Sequence, residues 1–204
     1  MRFWDRTIWN EVAVRCAAAT QIGLRWHLTD MSWIQTYTGK KFSPLADEPG
    51  EIDLRDIAHS LALQCRYNGH CRLFYSVAEH SVRVSQLLPS DEAAWGLLHD
   101  AAEAYVSDLP RPLKLTVPDF RAAEERLLRQ IAETFGLPWP MPPSVHHADE
   151  VLLATEARDL MAPFADDWHF TAAPLAETVT PISPTDAEAL FLVRAAQLGI
   201  QNHR

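Results

Sequence analysis

The chain has 204 residues, 48% of them apolar, and a formal net charge of −9. That length suits one domain with a substantial core. The acidic balance argues against a nucleic-acid scaffold, which carries a basic footprint, and no run approaches the ~20 apolar residues of a membrane-spanning helix. Residues 1–30 differ from the rest. They read as an N-terminal extension with one amphipathic helix over Trp9 to Leu24, and Asp5 and Glu11 spoil a targeting-peptide reading. Cys16, Cys65 and Cys71 are an odd number without framework spacing, which fits free thiols in a reducing cytoplasm.

The domain is expected over residues 31–204, starting around Met31-Ser32-Trp33, with turn chemistry through Pro49-Gly50. From Asp53 the reading is helical. Leu54, Ile57, Ala58 and Leu61 recur at helical spacing up to Arg66, and Asn68-Gly69 stops the run. Ser76-x-x-Glu79 is a capping box opening a helix that ends before Pro89. Ser90 is the expected cap of the next helix, which carries His99-Asp100 through to Glu103, and Pro110 and Pro112 break the chain after it. Pro118 and Gly136 bracket a helix, Ser144 is the expected cap of the one bearing Asp149, and Ser183-Pro184 opens the last. No strand alternation stands out. The fold class is all-α, a bundle of five to seven helices.

His99-Asp100 carries the chemistry. An imidazole and a carboxylate among small apolar residues are costly unless a charge pairs with them. His80 and Asp149 lie on other expected helices and supply matching donors. His nitrogen with carboxylate oxygen suits Mn, Fe, Co or Zn better than an all-oxygen Mg cage, and four protein ligands leave positions open for water and substrate. His146 and His147 are the sole histidines between the His-Asp pair and Asp149, and they sit in the same segment as Asp149. Each residue taken alone is more often structural than a ligand. Glu103, four residues after His99, is expected on the same helix face, where a carboxylate can orient water or take its proton. Cys65, His70 and Cys71 lack a second pair for a zinc site.

The order His80…His99-Asp100…Asp149 resembles the HD-domain metal-dependent phosphohydrolases. The segment His99-Asp100-x-x-Glu103, followed by Asp108-Leu109-Pro110-x-Pro112-x-Lys114, is similar to the bacterial 5′-deoxynucleotidase-like branch. The resemblance covers roughly Asp53 to Met161. It implies a compact helical domain in which His80, His99, Asp100 and Asp149 hold one divalent metal ion, since two-metal relatives usually add further histidines between the His-Asp pair and the last Asp, and in which Glu103 and Asp108 are catalytic. It also implies that Arg66, followed by Tyr67 where the family has Trp, contacts substrate, with Lys114 as a further phosphate contact. An Arg fork can grip phosphate oxygens, although each cation could equally serve a helix end. The implied activity is hydrolysis of deoxynucleoside 5′-monophosphates to nucleoside and phosphate, with a small-molecule nucleotide as partner and a homodimer as the assembly common among similar enzymes. A deoxynucleotide triphosphohydrolase, using Arg72, Arg111 and Lys114, and a non-catalytic metal-stabilised module are the alternatives. The Gly-Tyr-Pro element of cyclic-dinucleotide phosphodiesterases is missing, and Glu103 is followed by Ala104 where guanosine-polyphosphate hydrolases often show Glu-Asp.

Overall fold

A computed structural model describes residues 33–163 and 168–202, which belong to one compact unit, Trp33–Arg204. The expected extension and its helix over Trp9 to Leu24 lie outside the described residues. A two-stranded antiparallel hairpin comes first, β1 (Ile34–Gln35) and β2 (Lys41–Phe42), with Ile34 opposite Phe42. The sequence pattern misses it because two residues per strand are too few to show alternation. The hairpin is fastened by chemistry at its tip. The backbone N–H and hydroxyl of Thr38 donate to the two carboxylate oxygens of buried Asp56, at 2.7 and 2.9 Å.

The remaining elements are helical: α1 (Leu54–Leu63), a 3₁₀ turn (Arg66–Gly69), α2 (Val77–Leu87), α3 (Ala93–Leu98), α4 (Glu103–Val106), α5 (Arg111–Lys114), α6 (Pro118–Phe135), α7 (Pro143–Leu160) and α8 (Pro184–Gln197). The all-α class is therefore observed, apart from the hairpin. Sequence signals account for several ends. Asp53 caps α1 by accepting from the Arg55 N–H, Ser76 caps α2 from the Glu79 N–H, and Ser183 caps α8 from the Asp186 N–H. Gly136, at φ 69°, closes α6 in the left-handed region.

Two expected caps fail. The residue before α3 is Glu92, not Ser90, and α7 begins at Pro143. Ser144 lies in the first turn of α7, where its hydroxyl donates to Glu92 instead. Pro110 and Pro112 do not simply break the chain. Proline fits a first helical turn, and Pro112 sits in that of α5.

Helix α2 is the centre of the bundle and packs against α1, α3, α7 and α8. It is buried nearly all round, from Val77 through Ser85 save Arg83. Such a helix needs a partner for each polar group it carries. Glu79 accepts from Arg83 and from the Ile182 N–H, and Ser85 donates to the Ala93 carbonyl while accepting from Arg194. Helix α3 crosses it closely at Gly96. A Cβ there would stand 2.8 Å from Ser85 Cα and 2.6 Å from Leu88 Cδ1, so only glycine permits the approach. That crossing delivers His99, just past α3, to the face of α2 that carries His80.

Candidate metal centre and substrate cavity

His80 is wholly buried, and its two ring nitrogens have different tasks. Nδ1 donates to Glu156 Oε1 at 2.7 Å, and Nε2 points toward His99 Nε2 at 3.3 Å and Asp149 Oδ1 at 3.1 Å. His99 repeats the pattern. Its Nδ1 is 2.8 Å from the Gly96 carbonyl, which can only accept, so Nδ1 carries the proton. Both Nε2 atoms therefore present lone pairs to each other. Asp100 Oδ2 lies 3.2 Å from His99 Nε2 and 3.7 Å from His80 Nε2. With both Nδ1 protons directed elsewhere, the cluster of two Nε2 atoms and two carboxylates calls for a cation at its centre, a metal ion or a proton on His80.

A metal fits the interval. Ligand bonds of about 2.0–2.2 Å place neighbouring donor atoms roughly 3.0–3.5 Å apart. His80, His99 and Asp149 each offer an atom within 4.8 Å of the others, and Asp100 adds its oxygen at the distances above. A proton is the other cation that can sit there. Burial and Arg66 push the His80 imidazole toward its neutral form, but Glu156 and Asp149 outweigh them and raise its pKa to about 9. Burial likewise opposes charge on Asp100 and Asp149. The histidines reverse it, aided at Asp100 by Arg66, leaving Asp149 at about 2 and Asp100 far below the usual carboxylate range.

The His99-Asp100 stretch differs from expectation. Helix α3 ends at Leu98, and the next residues bond three apart, with Ala101 N–H to the Leu98 carbonyl and Glu103 N–H to the Asp100 carbonyl. In such a tight turn residues three apart eclipse. Glu103 therefore shares the face of Asp100 rather than that of His99, and Asp100 and Glu103 line one cavity with Asp108. Burial, with Asp100 and Asp108 nearby, drives the Glu103 carboxyl well above its ordinary pKa, and Lys114 at 3.5 Å offsets part of this. Its Oε2 is buried with no hydrogen-bond partner. Asp108 is raised as well, chiefly by burial.

Glu156 is the residue the sequence undervalues. Seven residues after Asp149, it shares that helix face, yet an ordinary buried salt bridge would look the same in sequence. It is fully buried and accepts from three donors: His80 Nδ1, Arg66 Nε at 3.1 Å and the Tyr67 hydroxyl at 2.7 Å. Burial opposes its charge, but Arg66 and His80 hold its pKa down at about 2. Arg66 also lies 3.7 Å from Asp100. The Arg66–Gly69 turn is bent to make this possible, with Tyr67 and Asn68 at φ 56° and 52°. Lys114 is not a solitary cation, since its ammonium donates to Glu124 at 2.6 Å as well as facing Glu103. His146 and His147 are exposed and do not join the cluster. Cys65 and Cys71 are free thiols with sulfurs 3.5 Å apart.

A cavity of about 1010 Å³ is lined by Arg66, Asp100, Glu103, Asp108 and Asp149, and also by Leu153, Met161, Trp168 and Phe170.

No protein-family model matches the chain. Two relatives do. Uncharacterized protein YfdR of Escherichia coli is 42% identical over 167 residues, covering 80% of this chain and 94% of the relative. An uncharacterized protein of Rhodobacter capsulatus is 32% identical over 137 residues, covering 62% of this chain and 70% of that one.

Proposed function

The chain belongs to the family that contains YfdR of Escherichia coli, and from the site it carries we propose that it is a metal-dependent phosphohydrolase of deoxynucleoside 5′-monophosphates, of the HD-domain kind. The observation that carries this reading is the convergence of His80 Nε2, His99 Nε2 and carboxylate oxygens of Asp149 and Asp100, with the two aspartates lining a cavity that also holds Arg66 and Glu103.

The chemistry a divalent ion supplies at this locus is Lewis-acid polarisation of a phosphoryl oxygen and acidification of water. The chain's own groups do the rest. Arg66 is held by Glu156 through Nε, which leaves guanidinium N–H groups to grip non-bridging phosphate oxygens. Glu103 takes the proton of the attacking water as its oxygen bonds to phosphorus. Its unpartnered Oε2 is the accepting atom. The bond from phosphorus to the 5′ oxygen breaks, and Asp108, whose protonated form is favoured by burial, gives its proton to the departing alkoxide. The products are nucleoside and phosphate.

Monophosphates are favoured over triphosphates by where the remaining cations are engaged. Lys114 is paired with Glu124 and Glu103, and Arg111 with Glu150 at 3.0 Å. The test is incubation with dAMP, AMP and dATP, with Mn²⁺ or Co²⁺ and with chelator, followed by chromatography. Metal-dependent release of inorganic phosphate from dAMP is expected. Intact triphosphate from dATP, with dAMP untouched, would replace this reading with a triphosphohydrolase. No turnover of any nucleotide would leave a metal-stabilised module.

A further inference from the structure

The proposed chemistry leaves part of the cavity lining unused. Three aromatic rings, each next to another, belong to that lining. The Tyr67 and Trp168 rings have centroids 6.4 Å apart and inclined by 49°, and Trp168 and Phe170 are 5.7 Å apart at 42°. All three line the same space as Arg66 and Asp149. Trp168 is 45% exposed, a large solvent contact for the most expensive apolar side chain in the chain. Tyr67 touches both the metal-site residues and the aromatic group. Its hydroxyl is spent on Glu156 beside the histidines, while its ring faces Trp168 and is flanked by the Arg66 guanidinium at 5.3 Å.

We infer that Tyr67, Trp168 and Phe170 form the subsite for the substrate's heteroaromatic ring, so that the nucleobase is recognised by stacking. This rests on the phosphohydrolase reading for the position of the phosphate. Tyr67 neighbours both Arg66 and Trp168, so a ligand with its phosphate at Arg66 and its ring at Trp168 spans Tyr67, in keeping with the order of phosphate, sugar and base in a nucleotide. The rings are tilted rather than parallel, so they form an open corner that a flat ring can enter against one face. Stacking tolerates any base because each has a π face. It rewards overlap, so purines are held more tightly than pyrimidines. Leu153 and Met161 complete the wall with apolar surface, the correct lining for a ring but not for a bare phosphate or a sugar phosphate.

The experiment separates ring binding from hydrolysis. Deoxyadenosine, which has no phosphate, is titrated into the full chain with metal chelated, and binding is followed by calorimetry. The wild-type chain is expected to bind it. Trp168→Ala should weaken binding by about 5- to 150-fold, the worth of one base–aromatic stack, and Trp168→Phe should restore most of it. In turnover, Trp168→Ala should raise KM for dAMP with kcat little changed, and leave hydrolysis of deoxyribose 5-phosphate, which lacks a base, at the wild-type rate. Equal deoxyadenosine binding by wild type and Trp168→Ala, or equal losses on dAMP and deoxyribose 5-phosphate, overturns the subsite. Should the wild type hydrolyse no nucleotide yet bind deoxyadenosine through Trp168, the subsite stands and the phosphohydrolase reading fails. A circular-dichroism melt of each variant identifies one that does not fold, in which case Trp168→Leu and Phe170→Leu, which remove the ring but keep apolar bulk, carry the same comparison.

Discussion

Glu156→Gln tests the hub of the site. The carboxylate is fully buried and accepts from His80, Arg66 and Tyr67. The amide has the same shape but one acceptor oxygen, and its NH₂ must face a donor. At least one of the three bonds is lost, and Arg66 loses its nearest counter-charge. Removing one partner of a buried pair costs about 3–5 kcal/mol, because the other charge stays buried without compensation. In a domain of this size each kcal/mol lowers Tm by roughly 2–4 °C, so a fall of about 6–20 °C is expected. A second loss follows from His80. Glu156 fixes the tautomer that turns the Nε2 lone pair toward His99 and Asp149, and partners of this kind are worth about 10–100-fold in metal affinity. The assay pairs a calorimetric melt with titration of Mn²⁺ or Co²⁺ into the chelator-stripped protein. A variant that melts with the wild type and takes up metal with wild-type affinity would show that Glu156 neither balances Arg66 nor orients His80.

Asp100→Ala should lose metal and activity together, and full metal content after dialysis with normal turnover would remove Asp100 from the ligand set. Glu103→Gln should keep the metal and slow hydrolysis by about 10²–10⁴-fold, the range for a lost general base. Because Asp100 and Asp108 oppose its charge, the melting temperature should hold or rise, and an unchanged kcat would refute the role. Gly96→Ala should cost about 1–3 kcal/mol as α3 is pushed off Ser85, with metal affinity falling because the Gly96 carbonyl orients His99; an unaltered melt would mean the crossing is soft. Asp53 gives the pH dependence. Arg55, Lys40 and Asn202 hold its pKa well below the usual range, so it contributes stability above the unfolded value of about 3.9 and loses it as pH falls further. Asp53→Asn should therefore melt lower than wild type near neutrality, with the gap closing below about pH 4, and a gap independent of pH would contradict the assignment.

How far the fold can be read from sequence depends on how local each signal is. Capping by Ser76 and Ser183 and termination at Gly136 are decided within four residues, and these ends match. Ser90 and Ser144 have the right residue type, but Ser144 is taken by Glu92 from across the bundle, a competition no local pattern reveals. His80, His99 and Asp149 stand out because their residue types and order are unusual among apolar neighbours. The face that Glu103 presents is a different matter. Spacing assigns it to His99 only if the helix runs on with 3.6 residues per turn, and the tightening after Leu98 shifts it to Asp100. Glu156 is half legible, since its spacing from Asp149 suits a ligand-orienting residue and an ordinary buried salt bridge equally, and Trp168 gives no signal. A glutamate within a helix and an aromatic in a loop are commonplace, and their roles appear only when tertiary packing brings Arg66 and Tyr67 to them.

The charges around the cavity also explain why a metal and a phosphate belong to one reading. Asp100, Asp149 and Glu156 are held ionised against Arg66 and His80, while Lys114 is shared between Glu103 and Glu124. A phosphate monoester brings about −1.5 to −2 more charge at neutral pH. Unit charges 4 Å apart interact by about 4 kcal/mol at an effective dielectric of 20, so one guanidinium cannot hold such an anion against several carboxylates. A proton on His80 neutralises the lone pairs but adds a single charge, deep in the wall and already matched by Glu156 and Asp149. A divalent ion at the same locus adds two charges and has coordination positions left for oxygen. On the proposed reading, the carboxylates that would exclude phosphate from the site without an ion are therefore the groups that would collect the cation and, through it, make the site attractive to phosphate.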